Sequence, residues 1–77
     1  MTRLVGREVA VSLDFEGAPC RVAGRAAEPL MRWLVEQDWW AQLVTREYWR
    51  VLLDGELLAE LYRDGSSGVW VLERVYD

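Results

Sequence analysis

A small, mainly β domain, folded as a single antiparallel curled sheet or barrel of about five strands, is the class that three features of this sequence predict. Residues 8–15 alternate apolar and polar side chains with a period of two. The C-terminal half reads as a meander of three strands separated by two strong turn signals. A length of 77 residues leaves room for one core, so residues 1–77 are read as a single domain.

From the N-terminus, Val9, Val11, Leu13 and Phe15 alternate with Glu8, Ala10, Ser12 and Asp14, the pattern of a half-buried strand. Glu16-Gly17-Ala18-Pro19 supplies turn chemistry, with Gly17 free to take positive φ and Pro19 fixing the entry to the next segment. Residues 20–27 continue as a second, weaker strand, in which Gly24 marks a bulge or a close backbone approach.

The stretch from Glu28 to Trp40 leaves two readings open. Pro29 followed by Leu30, Met31, Trp33, Leu34 and Val35, with Arg32 and Glu36 opposite them, fits a short amphipathic helix near residues 29–37. The same residues fit a bent, nearly continuous apolar strand. Trp39-Trp40 and residues 41–45 read as a connection whose large rings cap one open end of the sheet.

Strands at about 46–53, 56–63 and 69–76 complete the chain, joined by Asp54-Gly55 and by Asp64-Gly65-Ser66-Ser67-Gly68. A two-residue Asp54-Gly55 turn would set Leu53 against Glu56 and Trp49 against Glu60. One more loop residue instead sets Leu53 against Leu57, Trp49 against Leu61, Tyr48 against Tyr62, Glu47 against Arg63, Arg50 against Glu60 and Arg46 against Asp64. Every charged pair is then complementary, and several cross-strand pairs agreeing at once select that register. It puts Trp49, Val51, Leu53, Leu57, Ala59 and Leu61 on one face, with Tyr48, Leu52, Leu58 and Tyr62 among the paired charges on the other. Two partly apolar faces predict that the second is covered, by residues 28–40, by barrel closure or by another copy of the chain.

Size bears on the last option. Burying the apolar surface of so short a chain contributes about 115 kcal/mol, and ordering it costs about the same at roughly 1.5 kcal/mol per residue. A lone cysteine, Cys20, and no histidine leave neither an internal disulfide nor an ordinary structural zinc site to make up the difference. Dense packing or self-association remains, and a homodimer is expected. Cys20 itself reads as a small buried hydrophobe, because no histidine is present to activate it.

Nine arginines, no lysine and thirteen acidic residues give a net charge of −4, which lacks the basic field that drives duplex binding. Duplex DNA is therefore not an expected partner. No apolar run approaches the roughly eighteen residues of a membrane span, and no signal-peptide core is evident, so a cytoplasmic protein is expected.

The segments Arg46-Glu47-Tyr48-Trp49-Arg50-Val51, Glu60-Leu61-Tyr62-Arg63-Asp64, Gly68-Val69-Trp70-Val71-Leu72 and Arg74-Val75-Tyr76-Asp77, with Gly24-Arg25, Trp33 and Trp39-Trp40, resemble a family of small bacterial proteins of uncharacterised activity. Members are often encoded beside genes for error-prone, translesion-type DNA polymerases. The resemblance covers most of residues 17–77 and implies a role in DNA-damage tolerance, with no activity, cofactor or ligand to carry over. Residues 20–31 depart from the family pattern, with Cys20, Val22 and Ala23 where larger side chains usually stand.

Catalysis finds no motif: there is no histidine, no activated nucleophile, and the glycines and the Asp and Ser residues around them sit where turns demand them. Glu36 and Asp38 read as solvated carboxylates rather than metal ligands, and no cofactor or metal is expected. The leading reading is a non-enzymatic interaction or structural module that self-associates and takes a larger protein partner, since Trp, Tyr and Arg are the residues interfaces favour. Its candidate surface comprises Tyr48, Arg50, Leu52, Leu58, Tyr62, Trp70 and Arg74. The alternative is a small barrel binding single-stranded nucleic acid weakly through Tyr48, Arg50, Tyr62, Trp70 and Arg74.

Overall fold

The computed structural model describes residues 2–39 and 42–76. Seven strands form: β1 (Thr2–Glu8), β2 (Val11–Leu13), β3 (Pro19–Val22), β4 (Arg25–Trp39), β5 (Gln42–Leu53), β6 (Leu57–Asp64) and β7 (Trp70–Tyr76). They lie in the order β1-β7-β6-β5-β4-β3-β2, each antiparallel to its neighbours, and the sheet curls into a half-barrel. Among the described residues there is no helix, and so none long and apolar enough to cross a membrane.

The predicted register of β5 on β6 is observed pair for pair, from Arg46 opposite Asp64 to Leu53 opposite Leu57. A three-residue loop carries it, with Asp54 and Gly55 both at positive φ and Glu56 N–H donating to the Leu53 carbonyl at 3.0 Å. Asp54 also ties the loop to the next strand over. Its backbone N–H donates to the Ala26 carbonyl, and its Oδ1 accepts from Ala26 N–H at 3.2 Å.

Of the stretch read from sequence as 28–40, the described residues 28–39 are strand. β4 pairs with β5 from Ala27 opposite Leu53 to Trp39 opposite Gln42, with one irregularity between Pro29 and Met31. Local propensity is balanced there, and twelve cross-strand partners outweigh the few i,i+4 contacts a short helix would offer. The segment therefore extends the sheet beside β5 and does not lie across its second face. Strand structure resumes at Gln42, so residues 42–45, read from sequence as part of a connection, belong to β5. The capping role expected of the Trp39 and Trp40 rings lies outside the described side chains.

The N-terminal reading needs more correction. Residues 8–15 are not one strand, because the chain changes partners within the alternating stretch: Val9 N–H donates to Trp70 O at the start of β7, while Ala10 O accepts from Ala23 N–H beyond β3. Val9 and Val11 still pack against the core. Asp14 ends β2 by accepting the N–H groups of Glu16 and Ala18 at Oδ1, and this turn leaves Phe15 98% exposed, not half-buried. Gly24 sits in a turn, not within a strand. Ala23 and Gly24, at φ 50° and 81°, form the two-residue connection that sets Val22 opposite Arg25. Cys20 is exposed, with its Sγ 3.4 Å from the Ser12 carbonyl, because the slip between Ser12 and Leu13 turns Pro19 and Val22 inward and leaves Cys20 and Arg21 outside.

The core lies on the concave side: Val51 and Leu53 from β5, Ala59 and Leu61 from β6, Val75 from β7, and Val22, which the β2–β3 hairpin folds over them. Gly65 closes the far end. A Cβ there would stand 2.8 Å from the Thr45 carbonyl oxygen, the atom that accepts the Gly65 N–H. Only glycine lets the β6–β7 loop approach β5 so closely.

Candidate interaction surfaces

Three surfaces follow from this architecture. The convex face carries an aromatic and arginine layer. Alternation along β5 and β6 sends Tyr48, Arg50, Leu52, Leu58, Glu60 and Tyr62 to this side, and β4 adds Trp33 opposite Tyr48. Trp33 and Tyr48 stack with centroids 5.3 Å apart and planes 7° from parallel, and Tyr48 and Tyr62 follow at 5.2 Å, tilted by 42°. Arg46 lies 4.5 Å over the Tyr62 ring and gives an N–H to the Tyr48 hydroxyl at 3.5 Å, while its Nε is buried with no hydrogen-bond partner. Burial pushes the Tyr48 hydroxyl's pKa up, and nearby Glu73 adds to the rise, against the opposing pull of Arg46.

Beside the stack, Glu60 is buried and fully engaged. Arg50 donates to its Oε2 from Nε at 3.2 Å and from Nη2 at 2.8 Å, and the Tyr76 hydroxyl donates to Oε1 at 2.6 Å. Burial alone would push this carboxyl up; the Tyr76 hydroxyl and the Arg50 guanidinium outweigh it and hold Glu60 below the usual carboxylate range. Arg74, opposite Glu60 on β7, has its Nε 3.6 Å from Glu73.

The structure therefore brings six of the seven sequence-derived surface residues together on the convex face: Tyr48, Arg50, Leu52, Leu58, Tyr62 and Arg74. Trp70 is not among them. Opposite Arg63, it faces the concave side, packs against the core, and has the Arg63 guanidinium 5.9 Å from its ring centroid. Trp33 and Tyr76 are the members that sequence reasoning missed. Trp33 became legible only once residues 28–39 were known to be strand, since a helix would have aimed it elsewhere.

The concave side has a polar end beyond the core. Glu47 accepts the Trp49 indole N–H at 2.7 Å and lies 3.4 Å from Arg32 and 3.8 Å from Arg63. Burial pushes Glu47 up, and the Trp49 and Arg32 hydrogen bonds more than reverse it. Leu13, Glu16 and Gly17 of the β2–β3 hairpin complete an open cleft over these groups. At the other end Arg3, Arg7 and Arg25 rim a cleft floored by Val22, Leu53 and Val75. Among the described residues no three His, Cys, Asp or Glu side chains gather where they could hold a metal ion.

The third surface is an edge. β3 pairs with β4 at Arg25 and Ala26 alone, so from Ala27 to Trp39 the side of β4 away from β5 has no strand partner among the described residues. Leu30, Met31 and Leu34 are half exposed along this edge. β5 meets β6 only from Arg46 onward, so residues 36–39 and 42–45 form a two-stranded ribbon that projects beyond the sheet, and on it Leu43 is 63% exposed.

No protein-family model, no curated protein and no solved structure matches this chain.

Proposed function

We propose that this chain is a non-enzymatic interaction module that self-associates and works as an accessory to DNA-damage tolerance, with a larger protein as its further partner. The observation that carries the reading is the long unpaired edge of β4 flanked by Leu30, Met31, Leu34 and Leu43. A strand edge with free N–H and C=O groups beside exposed apolar side chains is a template for another strand. The setting in DNA-damage tolerance rests on the sequence resemblance alone.

The convex layer supports the same reading over the nucleic-acid alternative. Tyr48 and Tyr62 are stacked on protein rings, Arg50 is committed to Glu60 and Arg46 to Tyr62, so the groups that would stack on bases and meet phosphates are already engaged. Light-scattering mass measured across a dilution series tests the reading. A mass of two chains at micromolar concentration that falls toward one on dilution is the expected result. A single-chain mass up to about 100 µM overturns it, because an association that weak falls short of the micromolar range.

A further inference from the structure

The free edge of β4 is complementary to itself. Residues 32, 34 and 36 point to the concave side and 33 and 35 to the convex side, since Arg32 and Leu34 face Trp49 and Glu47 while Trp33 stacks on Tyr48. When two copies of this strand run antiparallel about a two-fold axis at Leu34, Leu34 meets its own copy and Trp33 meets Val35. Arg32 then meets Glu36, twice. Every facing pair shares a side of the sheet, and both charged pairs are of opposite sign.

Other registers lose this match. An axis at Leu30 would face Glu28 with Arg32, but it centres the pairing on the irregularity between Pro29 and Met31 and on a proline that has no N–H to donate. An axis at Val35 sets Leu34 against Glu36. The stretch from Met31 to Gln37 contains neither proline nor bulge. The β2–β3 hairpin shares the concave cleft with Arg32, Glu47 and Arg63 and pairs with β4 only at Arg25 and Ala26. Glu36 is exposed and makes no hydrogen bond or ion pair with the described residues, while Arg32 is half exposed and its contact with Glu47 is long at 3.4 Å.

From this we infer that two copies of the chain join β4 to β4, antiparallel and centred on Leu34, into one continuous sheet, with Arg32 of each copy facing Glu36 of the other. The inference rests on the self-association proposed above and deepens it by naming the strand, the register and the charged pairs.

A charge-swap experiment tests it. In Glu36→Arg each cross-strand pair becomes Arg facing Arg, and in Arg32→Glu it becomes Glu facing Glu, so each variant alone should dimerise about tenfold more weakly than the native chain. Mixed together, the two set Arg against Glu in both pairings and separate the like charges that each variant alone must bring together. A heterodimer tighter than either variant's homodimer is expected, read by light scattering and by native mass spectrometry of a mass-tagged pair. Because Arg32→Glu also sets two acids side by side at Glu47, a second variant keeps the test independent of its folding. Leu34→Cys in a Cys20→Ser background places the Cβ atoms of the two new thiols about 4.5–5.5 Å apart across the axis and should form a covalent dimer under mild oxidation. A native chain that stays monomeric overturns both the register and the self-association. A native dimer whose charge variants show no preference for each other, and whose Leu34→Cys variant does not cross-link, overturns the register and leaves self-association through another surface standing.

Discussion

The Tyr76 hydroxyl reaches across from β7 to donate a 2.6 Å hydrogen bond to Oε1 of Glu60, a carboxylate only 7% exposed on the convex face. The other oxygen is held by Arg50, so the carboxylate is satisfied on both sides and its charge is balanced. Tyr76→Phe removes one donor and leaves Oε1 buried without it. It is expected to cost about 1–3 kcal/mol, seen as a lower urea midpoint by tryptophan fluorescence. An unchanged midpoint would mean that water takes the hydroxyl's place.

Acid should unfold this protein sooner than its core alone would require. Glu60 and Glu47 are both held below their ordinary value of 4.5 in the folded state, and the hydroxyl and N–H groups of Ser66, with the N–H of Ser67, lower Asp64 as well. A carboxyl lowered on folding contributes stability that is fully present above its unfolded pKa and is lost as the pH falls through the folded value. Unfolding free energy from urea titrations should therefore be flat from about pH 7 to about pH 5.5 and decline below about pH 4.5, and Glu60→Gln should make that decline shallower. An equal slope in native and variant chains would remove Glu60 from the account.

Two small-residue positions should respond with opposite signs. Ala23 is held at φ 50°, where a Cβ is strained, and Ala23→Gly is expected to raise the thermal midpoint by relieving about 1 kcal/mol. Gly65→Ala drives a Cβ into the Thr45 carbonyl oxygen, a backbone atom unable to give way, and is expected to cost about 1–3 kcal/mol. Circular dichroism melts of the two variants suffice for the comparison.

Leu61 and Phe15 mark the extremes of burial. Leu61→Ala opens a cavity beside Val51 and Ala59 and should cost about 2–5 kcal/mol, enough to leave a domain of this size partly unfolded at room temperature. Phe15→Ser, on a side chain that is almost wholly in solvent, should change the unfolding free energy by no more than about 0.5 kcal/mol. A large loss at Phe15 would show that it is covered in solution.

The C-terminal half was legible in the sequence because side-chain pairs over-determine it. Leu53 with Leu57, Glu47 with Arg63 and Arg50 with Glu60 all agree on one register, and a slip by one residue breaks all of them. The N-terminal half was not, because alternation reports which face a residue takes and not which strand it pairs with. Val9 and Val11 keep the period of two while the chain passes from β7 to β3, so one apparent strand is two. The run from Leu30 to Val35 hid its nature for a related reason: apolar residues on both faces of a strand erase the period that separates a strand from a helix. For the convex site, the Arg50–Glu60 pair was readable, whereas the Tyr76 bond to Glu60 depends on the irregularity between Glu60 and Leu61 that shifts β7 along β6.

Beyond the Thr45–Gly65 contact at its root, the ribbon formed by residues 36–39 and 42–45 extends from the sheet as a two-stranded arm. Its length is thus a free parameter of the architecture: removing one residue from each strand toward the tip, or adding one to each, leaves Val51, Leu53 and Leu61 with unchanged neighbours. Divergent chains sharing this core could differ in the reach of their arms while keeping the same folded body. A chain with the arm trimmed back to Glu36 and Thr45 would separate what the body needs to fold from what the arm needs to meet a partner.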